Sequence, residues 1–371
     1  MIISHWCRVC SFVVDRFLRS AMGKISAVVG VALAAFMIFI IVADSAEANQ
    51  SIRRVIVDVD AGPDDAWALY QLLSSPQVKV EAISCVRGNT NVTMVGRNVL
   101  RILTAMGKEN EIPVFLGSDE RLITPGPVVD PKDMYFGADG FSDVDYSHLP
   151  PPNMALLRTG AIGELARLIE KYPSEITFIT LGPLTNLALL LKVHPKTRQL
   201  IKEVFVMGGN RHGVGNTESA AEFNFYNDPE SANIVVNNYP GLITVFPWET
   251  VSLDHLVMNQ TWRFETIVSS TNPVVQILNP AERKSLGEGD NWMPCDLLVA
   301  MAFTNPELIT KRKQYPGSVE LAGSLTRGQL VLNHQKEGTG NIVIVDNMDH
   351  AAVERMIVGL AAECKACAGS G

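Results

Sequence analysis

The stretch Val55-Ile56-Val57-Asp58-Val59-Asp60-Ala61-Gly62-Pro63-Asp64-Asp65-Ala66 decides how the rest of the chain is read. Its apolar start, Val55 to Val57, has the composition of a buried strand. Four carboxylates then follow within eight residues. From Trp67 to Leu73 the apolar positions have helical spacing. The expected unit is strand, turn, helix, with Asp64 or Asp65 near the helix N-terminus, where negative charge is favoured. Open α/β sheets place ligands at such strand ends. Four acids this close repel one another unless something positive sits among them, and a hard divalent cation with oxygen ligands answers that need. Helix capping by Asp64 and Asp65 is the plainer explanation, but a cap needs one acid and not four. An EF-hand loop fails: counted from Asp58, its glycine position holds Pro63 and its bidentate glutamate position holds Leu69. A phosphotransfer Asp-x-Asp pair would leave Asp64-Asp65 without a use.

Downstream, strand and helix patterns alternate. This implies an α/β fold with a mostly parallel central sheet flanked by helices, an open Rossmann-like sheet. Val78 to Val86, Ile112 to Leu116, Ile176 to Thr180, Val204 to Met207 and Leu242 to Phe246 are expected strands. Val92 to Met106, Ala161 to Lys171 and Leu187 to Lys192 are expected helices. Residues 117–153 are rich in Pro, Gly and Asp, and a loop of that length is usually functional or disordered. Thr261 to Ser269 and Val274 to Leu278 are expected to be helical and near the rim, with Leu297 to Phe303 an apolar helix. Val319 to Leu321, Gln329 to Leu332 and Ile342 to Val345 are expected strands at one edge, and His350 to Ala362 closes the chain as a helix.

Three later loops carry candidate chemistry. Arg87-Gly88-Asn89-Thr90-Asn91 is a tight turn that can present a polar side chain at the sheet edge, or a simple turn. Asn216, Glu222 and Asn224 lie in the glycine-rich loop that opens at Gly208 after the strand, and three such polar side chains suit a polyhydroxylated ligand. Asp228 before Pro229 is structural, a helix cap. Trp292-Met293-Pro294-Cys295-Asp296 leads into the apolar helix, where Asp296 taken alone could be a first-turn acid.

Together these motifs resemble the calcium-dependent nucleoside hydrolases, the inosine-uridine preferring family, whose Asp-x-Asp-x-Gly-x-Asp-Asp signature is met by Asp58, Asp60, Gly62, Asp64 and Asp65. The resemblance covers roughly residues 54–360, with five motifs in order. It implies the nucleoside hydrolase fold and hydrolysis of the N-glycosidic bond of ribonucleosides to ribose and free nucleobase. Asp60 would be a Ca2+ ligand and the base that activates a calcium-bound water. Asp65 as a bidentate ligand, Asp296 and the Leu181 backbone carbonyl would complete the metal set, and Asp58 would hold the loop in shape. Asp64, Asn89, Asn216, Glu222 and Asn224 would bind ribose. Nearby acids would stabilise the oxocarbenium character at C1.

The chain departs from the family at two places. Phe136 stands where a His often precedes the Gly137-x-x-Gly140 segment. Cys295 stands where many members have the His linked to protonating the departing base. A thiol of ordinary pKa is mostly protonated at neutral pH and could donate. His212, Trp292 and His255 are the other candidates, and nucleobase preference stays open. A nucleoside- or calcium-binding protein of this fold with lost or weak catalysis is the alternative; the intact Asp60, Asp65, Asn216, Glu222, Asn224 and Asp296 argue against it. A metal-dependent phosphatase would need basic residues beside the acids, and there are none.

The 371 residues are 47% hydrophobic with formal net charge −8, which allows a sizeable core and disfavours nucleic-acid capture. A small ribonucleoside is the expected partner, and a homo-oligomer is compatible with the sequence. Residues 1–49 are expected to be a leader, 50–363 a single domain and 364–371 a tail. Ile25 to Ala43 is uncharged and mostly apolar, flanked by Lys24 and Asp44, and Ala46-Glu47-Ala48 offers a small-x-small cleavage site. Read from Met22 the leader has ordinary signal-peptide length; read from Met1 it has an extended start. Secretion is expected, with membrane anchoring through an uncleaved segment as the alternative, since the run is long enough to span a bilayer. Sequons at Asn49, Asn91 and Asn259 are compatible with secretion. Of six cysteines, Cys7 and Cys10 belong to the leader and Cys85 to a buried strand. Cys364 and Cys367 lie in the tail, open to a local disulfide or an intermolecular link, and lack the second ligand pair of a metal site.

Overall fold

Strand β1 (Arg53–Val59) is an inner strand of a nine-stranded sheet, and every residue from Val55 to Val59 is buried. Val55, Val57 and Val59 enter one apolar core and Ile56 the other, on opposite faces of the sheet. A strand covered on both faces needs an unbroken apolar run, which is the pattern seen in the sequence. The computed structural model describes residues 52–123, 134–253, 256–268 and 271–362. The leader, Asn49, His255 and the tail with Cys364 and Cys367 lie outside the described residues.

The remaining strands are β2 (Val78–Cys85), β3 (Val114–Leu116), β4 (Leu157–Arg158), β5 (Ile176–Thr180), β6 (Glu203–Met207), β7 (Ile243–Phe246), β8 (Met258–Asn259), β9 (Asn291–Trp292), β10 (Ile309–Tyr315), β11 (Gly317–Val319), β12 (Leu330–Leu332) and β13 (Ile342–Met348). The helices that matter below are α1 (Pro63–Ser74), α2 (Val92–Ala105), α3 (Ala161–Lys171), α4 (Thr185–Val193), α5 (Phe223–Asn227), α6 (Pro229–Asn238), α7 (Gln260–Thr266), α8 (Pro273–Ser285), α9 (Cys295–Thr304) and α10 (His350–Ala362).

Nine strands form one sheet in the order β10-β13-β7-β6-β5-β1-β2-β3-β4. All neighbours are parallel except β10 and β13. Residues of α1, α2, α8, α9 and α10 pack on one face, and those of α3, α4 and α6 on the other. From β1 the chain builds outward through β2, β3 and β4. It then returns to the far side of β1 as β5 and builds outward again through β6 and β7. The order therefore reverses between β1 and β5, and in an open α/β sheet the crevice for a ligand lies at the C-terminal ends of such a pair. Topology alone thus puts Asp58, Asp60 and Leu181 at the place where a ligand belongs.

The expected mostly parallel α/β sheet is what the structure has, with three local differences. Strand β10 was not foreseen. It contains Lys311-Arg312-Lys313, and charge on an edge strand blocks pairing with another chain while masking the strand pattern. The expected strands near 319–321 and 329–332 do pair, but as a separate two-stranded sheet, β11 with β12; β13 lies one place in from the edge of the main sheet. The helix expected to end at Leu278 continues to Ser285 through Pro280. A proline removes one rung of hydrogen bonds, and buried Ala281 and Glu282 hold the turn after it in place.

The sequon asparagines have local work. Asn91 caps α2, its side chain accepting from Met94 N (3.0 Å), and Asn259 caps α7 through Thr261 N (2.7 Å). No helix among the described residues is long and apolar enough to cross a membrane.

Candidate active site

Helix α1 begins at Pro63, so Asp64 and Asp65 sit in its first turn. Pro63 has no N–H to leave unsatisfied there, and the helix start favours acids. Asp65 does act as a cap: its Oδ2 accepts from Gly62 N (2.9 Å) and its Oδ1 from Asp60 N (3.2 Å). The plain capping explanation therefore holds for one acid and leaves three unexplained. Asp58 accepts from Ser84 Oγ and from Asn186 Nδ2 (2.8 Å), and Asn186 also accepts from Ser118 N (2.8 Å). Asp58 thus ties β1 to β2 and to α4 at the root of the loop.

Asp60 is 1% exposed, and its Oδ2 accepts from Asn89 N (2.9 Å). Two glycines make room for it. A Cβ on Gly88 would lie 2.0 Å from its Oδ2, and a Cβ on Gly182 would lie 2.9 Å from its carboxylate carbon. Asp296 arrives from 236 residues away in sequence, in the first turn of α9. One carboxylate oxygen each of Asp64, Asp65 and Asp296 lie within 4.8 Å of one another. Asp60, expected among the metal ligands, is not in that trio, and Asp64, expected on the ribose, is.

Burial raises every acid of the cluster, and acidic neighbours add to the rise for Asp60, Asp64 and Asp296. Asp64 is pushed up to about 8 by burial and then by Asp65, and Asp65 to about 6 by burial. Asp60 and Asp296 rise well above the usual carboxylate range, by burial first and then by their acidic neighbours. Asp64 Oδ1 and Asp296 Oδ1 are buried and without a hydrogen-bond partner. No Lys, Arg or His lines the adjoining cavity among the described residues. Orphaned, crowded carboxylate oxygens with no cationic side chain beside them are the donor set of a hard divalent cation, so the residues present fit one.

Beside the cluster lies a cavity of about 470 Å³, large enough for a small ligand. Asp60, Asp64, Asn89, Leu181, Asn216, Glu222, Asn224, Cys295 and Asp296 all line it, so nearly all the residues singled out in the sequence converge. Their partners differ in informative ways. Asn224 donates through Nδ2 to the Leu181 carbonyl (2.7 Å), the oxygen expected on the metal, while its own Oδ1 is buried and unpartnered. Glu222 caps α5: its oxygens accept from Gly209 N (2.9 Å), Asn224 N (2.8 Å) and Phe225 N (3.1 Å), and burial pushes it up to about 7. Asn216 Oδ1 accepts from Phe223 N (2.8 Å). Cys295 is 6% exposed, and burial followed by Asp64 and Glu222 raises its thiol.

His212 is the exception. Its backbone N donates to Glu249 (2.9 Å), and its exposed side chain does not line the cavity. A proton-donor role for His212 is not supported by that position. Trp292 does line the cavity, and Phe136 fills the slot where the family often has a His.

Sequence reading missed Glu282, Tyr135 and Trp248 as lining residues. Glu282 was hidden because the helix was ended before Pro280. Tyr135 lies in the long aperiodic loop, where a positive φ at Gly137 (70°) and Gly140 (78°) folds the chain back over the site.

The model of the inosine-uridine preferring nucleoside hydrolase family matches residues 55–355. A pyrimidine-specific ribonucleoside hydrolase, RihA, of Citrobacter koseri is 32% identical over 290 residues, which cover 76% of this chain and 88% of that protein. An uncharacterised Schizosaccharomyces pombe protein is 30% identical over 80% of this chain and 94% of its own length. Among solved structures, an inosine-guanosine nucleoside hydrolase superposes with TM-score 0.75 at 24% identity, over 84% of this chain and 99% of that one. A plant nucleoside hydrolase, PpNRh1, superposes with TM-score 0.71 at 25% identity, over 85% and 99% of the two chains. Fold, acid cluster and relatives together define a nucleoside hydrolase. The chain belongs to the inosine-uridine preferring nucleoside hydrolase family.

Proposed function

We propose that this protein hydrolyses the N-glycosidic bond of ribonucleosides to ribose and free nucleobase, with calcium in the acid cluster. One observation carries the reading: Asp60, Asp64 and Asp65 from the first strand–helix unit meet Asp296 at the β1–β5 reversal, beside a cavity lined by polar side chains and aromatic rings. Asp65, Asp296, Asp60 and the Leu181 carbonyl are the residues that would hold the ion, with Asp64 close enough to join them. When bound, a divalent cation supplies polarisation of a water and of sugar hydroxyls.

The chain's own residues do the rest. Asp60 takes the proton of the attacking water, held for that by Asn89 N and by the two glycines that confine it. Asn89, Asn216, Glu222 and Asn224 receive the ribose, the unpartnered Asn224 Oδ1 being a free acceptor for a hydroxyl. As the C1–N bond breaks, its electron pair leaves with the base. The fixed carboxylates face the positive charge that grows at C1. The departing base needs a proton. Cys295, whose thiol burial raises, and Tyr135, whose hydroxyl burial pushes up to about 12, are protonated lining groups that can give it.

The leader pattern before residue 50 supports export, with mass spectrometry of the secreted protein's N-terminus as the test. For the activity, the protein is incubated with calcium and a panel of purine and pyrimidine nucleosides, and free base is measured. Release from any of them is expected, and Asp60→Asn should abolish it. Calcium or nucleoside binding without release from any substrate would make it a binding protein instead.

A further inference from the structure

Glu282 lies in the cavity wall, 4% exposed, outside every motif that the sequence drew attention to. Its Oε1 accepts from both Trp67 Nε1 (3.0 Å) and Trp292 Nε1 (2.8 Å), and its Oε2 accepts from Arg263 Nη2 (2.5 Å). Arg263 is fully buried, with its guanidinium carbon 5.2 Å from the Trp67 ring centre and 5.1 Å from that of Trp292. The two indole rings meet edge-on at 6.2 Å. Trp67 stands two residues after Asp65 on α1, and Trp292 stands four residues before Asp296. One carboxylate oxygen therefore grips both parts of the chain that bring acids to the cluster.

We propose that Glu282, charge-balanced by Arg263, is a positioning residue that clamps Trp67 to Trp292 and so sets the spacing between Asp65 and Asp296. This rests on the reading of the cluster as a cation site. A wholly buried ion pair is a poor source of stability, because apolar side chains of like volume do as well or better. Its use here is directional. An indole N–H has one donor and no acceptor, so two of them aimed at one oxygen fix both rings about their side-chain torsions. Packing alone would leave the rings free to slide, and the two acid-bearing segments with them. Groups that hold ligand-bearing segments in this way typically change metal affinity or activity by about 10–100-fold when lost.

The test uses the full chain and three proteins: the parent, Glu282→Gln, and the double variant Arg263→Met with Glu282→Met. The double variant removes both charges, so it leaves no buried charge unpaired and is expected to fold. Calcium alone is titrated by tryptophan fluorescence, melting is followed without the ion, and kcat and KM are measured with the best nucleoside. The expected result is an ion-free Tm close to the parent's, calcium affinity weakened about 10–100-fold and kcat reduced with KM little changed. Glu282→Gln keeps an oxygen for the indoles and should recover much of the calcium affinity. Calcium affinity equal to the parent's in the double variant overturns the proposal. So does a loss of affinity matched by an equal loss of ion-free stability, which would make the pair merely structural. If the double variant does not fold, the same two readouts on Trp292→Phe decide, since it keeps a ring in place and removes one of the two donors to Glu282. A parent that binds calcium and releases no base from any nucleoside refutes the hydrolase reading and leaves the clamp to be judged by the calcium titration.

Discussion

Adding one methyl group at Gly88 should disable the enzyme without unfolding it. The Cβ of Gly88→Ala would stand 2.0 Å from Asp60 Oδ2, 2.6 Å from its Cγ and 2.7 Å from its Cβ. Ordinary contact begins near 3.4 Å, so the carboxylate must retreat by about 1.4 Å. It cannot retreat toward β5, because the space for a Cβ at Gly182 already lies 2.9 Å from Asp60 on that side. Gly88 has no positive φ, so alanine meets no backbone strain there and the effect is one of space. A misplacement of about 1 Å in a reacting group costs on the order of 10²-fold in rate, or roughly 3 kcal/mol of barrier. Overpacking by one methyl costs about 1–3 kcal/mol of stability, a drop of a few degrees in Tm. The assay is steady-state release of base with calcium saturating, beside a thermal melt. Gly163→Ala is the control: a Cβ there has nothing within 4 Å, and alanine in the helix should hold or slightly raise Tm with parent kcat. A Gly88→Ala protein that turns over like the parent would refute the placing of Asp60 at the chemistry.

Removing the ion should make stability fall with rising pH. Asp64 and Asp65 are raised to about 8 and about 6 in the folded state, so their contribution is intact near pH 4 and is lost as pH climbs through 6 to 8. The loss should read as a fall in Tm between pH 5 and 8 that calcium largely removes; a chelated protein with a flat Tm over that range would contradict this. His212→Ala should keep parent kcat, since the side chain is exposed and away from the cavity; a drop of tenfold or more would return it to the list of proton donors. Cys295→Ser should spare calcium affinity measured by titration and alter kcat; unchanged kcat would shift the proton-donor assignment to Tyr135.

The strand–turn–helix at 53–74 was legible because a doubly buried strand and an apolar helix face leave simple periods in the sequence. So were the acids, since four carboxylates in a short span have few structural uses. Edge strand β10 was not legible: Lys311-Arg312-Lys313 obeys the need to keep an edge unpaired, and that need overrides the alternation that marks a strand. Glu282 was not legible for a different reason. A proline two residues before it argues for a helix end, yet the helix runs on to Ser285 with Ala281 and Glu282 buried, and the partners that give Glu282 its use, Trp67, Trp292 and Arg263, are distant in sequence or unmarked by any motif. Nor could the sequence foretell that Glu222 would cap a helix of its own, because a cap and a ligand-binding acid use the same atoms.

That double use has a consequence for charge. Asp60, Asp65 and Glu222 are all held by peptide N–H groups, from Asn89, from Gly62 and Asp60, and from Gly209, Asn224 and Phe225. Peptide donors orient a carboxylate without neutralising it, and they cannot swing away as a lysine or arginine can. Arg263, fully buried beside the cavity wall, is already matched to Glu282. The geometry of these acids is therefore set by the backbone before any ligand arrives, while among the described residues no Lys, Arg or His lines the cavity to balance their charge. A site built so is ordered but electrostatically incomplete, and an ion brought from solution completes it without having to move the residues that hold it.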